Sequence, residues 1–152
     1  MPVASDGYRH ITPITIRFSD LDAMGHVNNA MYLTFMETGR IQYYRDLGMW
    51  QPIPRLIGPI MAKATIDYKL PLNLEDDDVV VYSRCARIGN KSYDMEHQII
   101  RRKDNRAEVA AYGLIVMVAF DYQTGQSISV PEDWRAKFLA YEPILNRITD
   151  GT

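Results

Sequence analysis

Asp20, Asp22, His26, Asn28 and Asn29 fall within ten residues of one another in the stretch Asp20-Leu21-Asp22-Ala23-Met24-Gly25-His26-Val27-Asn28-Asn29. Two carboxylates, an imidazole and two amides so close together are an unusual load for a mere connection. The chemistry they could perform is acid, base or nucleophilic attack by a carboxylate, with amide and imidazole groups to orient it. Asn28 and Asn29 are favoured helix N-cap types, so the stretch delivers its polar groups to a helix start. A helix N-terminus offers unpaired N–H groups and about half a positive charge, both suited to a developing oxyanion. The local reading is a carboxylate facing an oxyanion site.

Two elements must position this stretch. Before it, Ile14, Ile16 and Phe18 alternate with Thr15 and Arg17, which predicts a strand over Ile11 to Ser19. After it, the pattern predicts a helix from about Ala30 to Leu47, closed by Gly48. That helix carries Met31, Tyr32, Leu33, Phe35, Met36, Ile41, Tyr43, Tyr44 and Leu47 on several sides, and a helix apolar nearly all round is a buried one. A Pro-rich passage, Trp50 to Pro59, reads as a loop. Four strand-like runs follow at hairpin spacing: Ile60 to Leu70, Val79 to Ile88, Lys91 to Arg101 and Arg106 to Asp121. Leu114 to Val118 shows no alternation, which predicts a central strand covered for much of its length on both faces. A Tyr122–Gly125 turn and a short helix from about Pro131 to Tyr141 complete the order.

Eighteen helical residues span roughly 27 Å at ~1.5 Å each, close to the width of a five- or six-stranded sheet at ~4.8 Å per strand. An α+β fold follows, with a curved antiparallel sheet of five to six strands wrapped around one long central helix in a single domain. This is the hotdog architecture. One cysteine among 152 residues excludes an internal disulfide and fits a reducing compartment. The first ten residues have no signal-peptide pattern, and the longest apolar run, Val109 to Phe120, is about half a membrane span. A net charge of −2 with interspersed signs argues against nucleic-acid binding. The expectation is a soluble cytoplasmic protein with neither a membrane nor a nucleic-acid partner. Three scattered histidines and one cysteine give no metal set of usual spacing, and neither a Gly-x-Ser-x-Gly elbow nor a Gly-rich phosphate loop is present. No cofactor and no metal are expected.

The string Arg17-Phe18-Ser19-Asp20-Leu21-Asp22-Ala23-Met24-Gly25-His26-Val27-Asn28-Asn29-Ala30-Met31-Tyr32, with Glu37 and Arg40 beyond it, resembles the signature of hotdog-fold acyl thioesterases. It is similar to the 4-hydroxybenzoyl-CoA thioesterase superfamily, with the His-Val-Asn-Asn version of acyl-ACP thioesterases. Ile66-Asp67-Tyr68, Pro71 and Ile88–Ser92 extend the likeness along most of the chain. The resemblance implies hydrolysis of an acyl-CoA or acyl-carrier-protein thioester, with Asp22 as the catalytic carboxylate, acting as nucleophile or as base. It places the oxyanion-binding N–H near Asn28 and Asn29, with Gly58 as a second donor. Asn29 would position water or carboxylate, and His26 would orient. Asp20 reads as a structural cap, and Glu37 with Arg40 as an ion pair across one helical turn.

The resemblance also implies CoA-phosphate contacts at the Gly89-Asn90 hairpin, from Lys91 first, then Arg87, with Ser92 beside them. Arg101, Arg102, Lys103 and Arg106 form a second basic cluster that could serve the same phosphates or an acidic carrier. Met24, Met31, Phe35 and Met36 are the expected lining of the acyl pocket. A homodimer or homotetramer is implied, with Thr65, Asp67 and Tyr68 lining the partner's site. The rival reading is a non-catalytic acyl-CoA-binding hotdog protein, or a scaffold subunit whose motif is only structural.

Overall fold

A computed structural model describes residues 7–50 and 55–145. The order is β1 (His10–Ile14), a 3-10 turn (Phe18–Asp20), α1 (Asn29–Asp46), β2 (Ile57–Tyr68), β3 (Val79–Ile88), β4 (Ser92–Lys103), β5 (Arg106–Asp121), β6 (Gln126–Ser127) and α2 (Glu132–Tyr141). All strand pairings are antiparallel, in the order β1-β3-β4-β5-β2, with β6 on β5. The sheet packs on α1 as the hotdog reading expects.

The first strand is shorter than its alternation suggested. Ile14 pairs with Val79, the first residue of β3, so the chain beyond it has no ladder to join. Asp20 then draws the following residues into a turn, because its carboxylate accepts the Arg17 amide at 2.8 Å. In contrast, β2 begins earlier than expected. Gly58 and Pro59 pair with Phe120 and Ala119 inside the strand, so the Pro-rich loop ends before them; Pro52 and Pro54 lie outside the described residues. Pro59 is tolerated because β2 is an edge strand. The β4–β5 turn falls on Asp104 and Asn105, both at positive φ (52° and 62°), as a tight hairpin of this type requires. β5 is an interior strand, as expected, but only one face is fully covered: Ala111, Ile115, Met117 and Ala119 are buried against the helix side, while Tyr112, Leu114, Val116 and Val118 are half-buried.

Helix α1 lies against the sheet with very little room. Gly113 of β5 faces Met36, whose sulfur fills the space a Cβ would take. Gly39 faces β3, where a Cβ would stand 2.8 Å from Val81 Cγ1 and 2.9 Å from Ser83 Oγ. Tyr32, Phe35 and Met36 then fill one core cluster with Val27, Leu72, Val79, Val81 and Ile99. A second cluster forms under α2, where Phe138 and Trp134 meet Tyr43, Tyr93 and Met117.

Replacing Gly by Ala inside a helix ordinarily stabilises by about 1 kcal/mol. At Gly39 the opposing overlap with a stiff valine should win, at about 1–3 kcal/mol. Gly39→Ala is therefore expected to lower the melting temperature, by several degrees in a thermal scan.

Candidate functional site

The loop between the 3-10 turn and α1 is closed by its own backbone. Leu21 bridges Val27, the Asp22 amide donates to the His26 carbonyl at 2.7 Å, and Gly25, at φ +81°, donates to the Asp22 carbonyl at 3.1 Å. The loop is moored to the segment after β2 through Val27 N–H on the Leu72 carbonyl (2.8 Å) and a His26–Asn73 bridge.

Inside this loop the two aspartates have different tasks. Asp20 is 1 % exposed, and its carboxylate accepts the Arg17 amide (2.8 Å) and guanidinium (2.9 Å). Burial pushes its carboxyl up, but the side-chain and backbone hydrogen bonds and the charge of Arg17 outweigh burial and hold it below the usual carboxylate range. The Asp20 carbonyl also accepts the Asn28 amide at 2.8 Å, which ties the turn to the helix start. Asp22 is exposed, and only one of its oxygens is engaged: Oδ1 accepts the amides of Met24 (2.9 Å) and His26 (3.1 Å). The other oxygen has no protein donor among the described residues.

The helix start is equally selective. Asn28 is the N-cap, and its side chain accepts the Ala30 amide at 2.9 Å. The Met31 amide takes the Asn28 carbonyl at 2.9 Å, and the Asn28 amide is held by Asp20. The Asn29 N–H has no acceptor among the described residues. Of the two asparagines expected to supply an oxyanion N–H, the hydrogen bonds thus leave only Asn29 available.

Asp22, His26 and Asn29 line one open cavity of about 270 Å³, together with Tyr32, Tyr68 and Lys69. Tyr68 bonds to the Asn29 carbonyl at 3.0 Å, and its ring meets Tyr32 edge-on at 5.0 Å. Tyr68, named above for a partner's site, lies over its own chain's helix start. Lys69 was missed from sequence; nothing marks it except its place next to Tyr68. The cavity thus brings together Asp22, with one oxygen unbonded, and Asn29, with its N–H unbonded at a positive helix end.

Other expected residues lie elsewhere. Gly58 pairs with Phe120, whereas Tyr68, beside Asp22, pairs with Ala111. Ten strand residues separate them, roughly 33 Å, so Gly58 cannot donate to an oxyanion at Asp22 of the same chain. Arg87, Lys91 and Ser92 also sit at that far end, where the Ala119 amide donates to the Lys91 carbonyl. Arg87 is further occupied by Asp94 at 3.0 Å. The second basic cluster lies at the Asp22 end, since Arg101 comes within 3.8 Å of Asp76 and the Asp76 carboxylate accepts the amide of Asn73; Arg101 and Arg102 are engaged by Glu108 and Asp78. Met24 is 80 % exposed on the loop tip, Met31 is half-buried, and Phe35 and Met36 fill the core. None of the four lines the Asp22 cavity. Among the described residues Met49, Met61 and Met117 line cavities beside the far half of α1.

Among the described residues, no group of three His, Cys, Asp or Glu side chains could hold a metal ion, and no helix is long and apolar enough to cross a membrane.

Residues 16–138 match the family model described as the thioesterase-like superfamily. A thioesterase from Thermus thermophilus, solved with coenzyme A and zinc, is 33 % identical with a TM-score of 0.73, over 89 % of this chain and 95 % of that one. The long-chain acyl-CoA thioesterase FadM of Escherichia coli is 28 % identical, over 83 % of this chain and 94 % of its own length. The chloroplast acyl-acyl carrier protein thioesterase ATL3 of Arabidopsis thaliana is 24 % identical, over 87 % of this chain and 68 % of its own.

Asp20 contributes stability because its folded-state acidity is stronger than the unfolded value. That contribution is present above the ordinary Asp value of about 3.9 and is lost as pH falls through the lower folded value. Asp20→Asn should therefore melt lower than wild type at pH 7, with the gap closing in strongly acidic buffer.

Proposed function

The chain belongs to the thioesterase-like superfamily, and from that premise we propose that it hydrolyses acyl-CoA thioesters with Asp22 as the catalytic carboxylate. The observation that carries this reading is the pairing in one cavity of a half-engaged carboxylate and an open helix N–H. Asp22 has one oxygen fixed by two amides, which sets the direction of the other. A thioester carbonyl placed between that oxygen and the Asn29 N–H would be attacked on one side and polarised on the other. Attack forms a tetrahedral oxyanion; its collapse breaks the C–S bond and releases the CoA thiolate. If Asp22 attacks directly, the product is a mixed anhydride that water then opens. If it takes a proton from water, the free acid forms in one stage. Both routes use the same oxygen and the same N–H. His26 and Asn29 line the same cavity, which supports giving their side chains the task of orienting the water.

We also assign a two-fold dimer through β2. This is a twelve-residue edge strand with Ile60 and Met61 exposed, and an uncovered edge of that length is a ready template for pairing. Antiparallel pairing of β2 with its copy would bring the far end of one sheet, with Lys91 and Arg87, towards the Asp22 end of the other. The CoA phosphates would then be met across the interface. An acyl-carrier-protein thioester is the second substrate reading, supported by the likeness to the chloroplast enzyme.

Asp22→Asn should abolish nearly all free-thiol release across a panel of acyl-CoAs while leaving the melting temperature unchanged; equal loss of both would make Asp22 structural. Lys91→Ala should raise KM for CoA esters and spare thioesters that lack the nucleotide. Mixing the Asp22→Asn and Lys91→Ala chains should recover turnover with wild-type KM in about half the sites of each mixed dimer, because Asp22 and Lys91 then meet intact across one interface. Absence of recovery in exchanged dimers would remove Lys91 from the site.

A further inference from the structure

Helix α1 buries one charge that the proposed hydrolysis does not use. Arg40 is 4 % exposed, and its Nη1 is fully buried with no hydrogen-bond partner. Among the described residues the only carboxylate within 4 Å is that of Glu37, 3.9 Å from Nη2 and itself 57 % exposed. The sequence-level ion pair is therefore loose and lopsided. Its other electrostatic neighbours carry no negative charge: Tyr44 and Tyr93 share a hydroxyl–hydroxyl hydrogen bond of 2.6 Å, and His97 is kept neutral by burial and by Arg40 itself. A guanidinium withdrawn from water calls for an anion or a full set of acceptors.

Arg40 and Glu37 form part of the wall of an open groove of about 230 Å³ between α1 and the start of β2, with Tyr44, Trp50, Arg55, Met61 and Met117. Arg55 has no carboxylate partner among the described residues; its guanidinium sits 4.6 Å from the centre of the Trp50 ring. A smaller, half-open space shares Tyr44, Trp50 and Arg55 with the groove and is also lined by Tyr93 and Trp134. Thioether and aromatic walls suit methylene groups; two guanidiniums against the one Glu37 carboxylate leave a net positive charge, which suits an incoming carboxylate held through their N–H donors. Along α1 the groove is about 16 Å from Asn29 of the same chain, at ~1.5 Å per residue. The two-fold pairing assigned above would instead set it beside the partner's helix start, because antiparallel pairing would bring the Pro59 and Met61 end of β2 opposite the other end of the partner's strand.

We propose that this groove receives the acyl group of the thioester and selects acyl groups bearing a second carboxylate, held by Arg40 and Arg55. The inference rests on the thioester-hydrolase reading for what enters the groove, and its test is a binding measurement that needs no turnover. The Asp22→Asn protein is titrated calorimetrically with adipoyl-CoA, hexanoyl-CoA and free CoA, the two esters having equal carbon count. Adipoyl-CoA is expected to bind about tenfold more tightly or better than hexanoyl-CoA, the range of one hydrogen-bonded charged contact. In Arg55→Gln and in Arg40→Met that ratio should fall towards one while hexanoyl-CoA binding holds. Arg55 is half-buried and caps nothing in the core, so its variant carries the test if Arg40→Met fails to fold. Equal or tighter binding of hexanoyl-CoA overturns the proposal. So does equal weakening of both esters and of free CoA in Arg55→Gln, which would make the anion a CoA phosphate. A retained adipoyl preference in a protein whose wild type releases no thiol would sink the hydrolase reading and leave the groove assignment standing.

Discussion

Everything at the site depends on how closely α1 approaches the sheet. Gly39 over Val81 and Ser83, and Met36 over Gly113, allow no larger side chain between helix and strands. That approach fixes the axial and rotational position of an eighteen-residue helix, and with it the place where the first N–H groups point. A helix held less tightly would still carry a partial positive charge at its start, but not at a defined distance from a carboxylate. Close packing converts a general property of helices into a located donor.

The second constraint is the division of labour between two aspartates two residues apart. Asp20 is buried, doubly bonded to Arg17, and joined through its carbonyl to the Asn28 amide, so it sets the path of the chain into the helix. Asp22 is left in the open with one oxygen restrained. The same logic runs along the helix start, where the Asn28, Ala30 and Met31 amides are all engaged and Asn29 is not. A site of this kind is defined as much by which groups are already satisfied as by which are present.

Much of this was legible in the sequence, for identifiable reasons. The apolar circumference of α1 and the hairpin spacing of the later strands gave the hotdog architecture, because burial on all sides leaves a pattern that local turns do not disturb. The candidate site was legible because cap residues and carboxylates cluster there. The end of β1 was not, since alternation continues to Phe18 while the ladder stops where β3 begins. Gly58 was placed before β2 because Pro59 reads as a breaker, whereas an edge strand accommodates it. Which face of α1 meets the Asp22 cavity is hidden for a related reason: Met31, Phe35 and Met36 have the right chemistry for an acyl pocket, but the faces of an all-apolar helix cannot be told apart without knowing which one the sheet covers. Tyr68, Lys69 and Arg40 acquire meaning only from what folds against them.

The Asn29 N–H is the proposed oxyanion donor, and one substitution can delete it with little else. Proline is tolerated at the first position of a helix, where its missing N–H has no intrahelical partner. Asn28, at φ −58° and ψ 137°, already has the extended conformation that a following proline imposes. The decisive measurement is kcat of Asn29→Pro beside Asn29→Ala, with melting temperatures for both. The account predicts two proteins of like stability, with Asn29→Pro slower than Asn29→Ala by about 10²–10³-fold, the size of a lost oxyanion donor. Equal turnover by the two variants would contradict it.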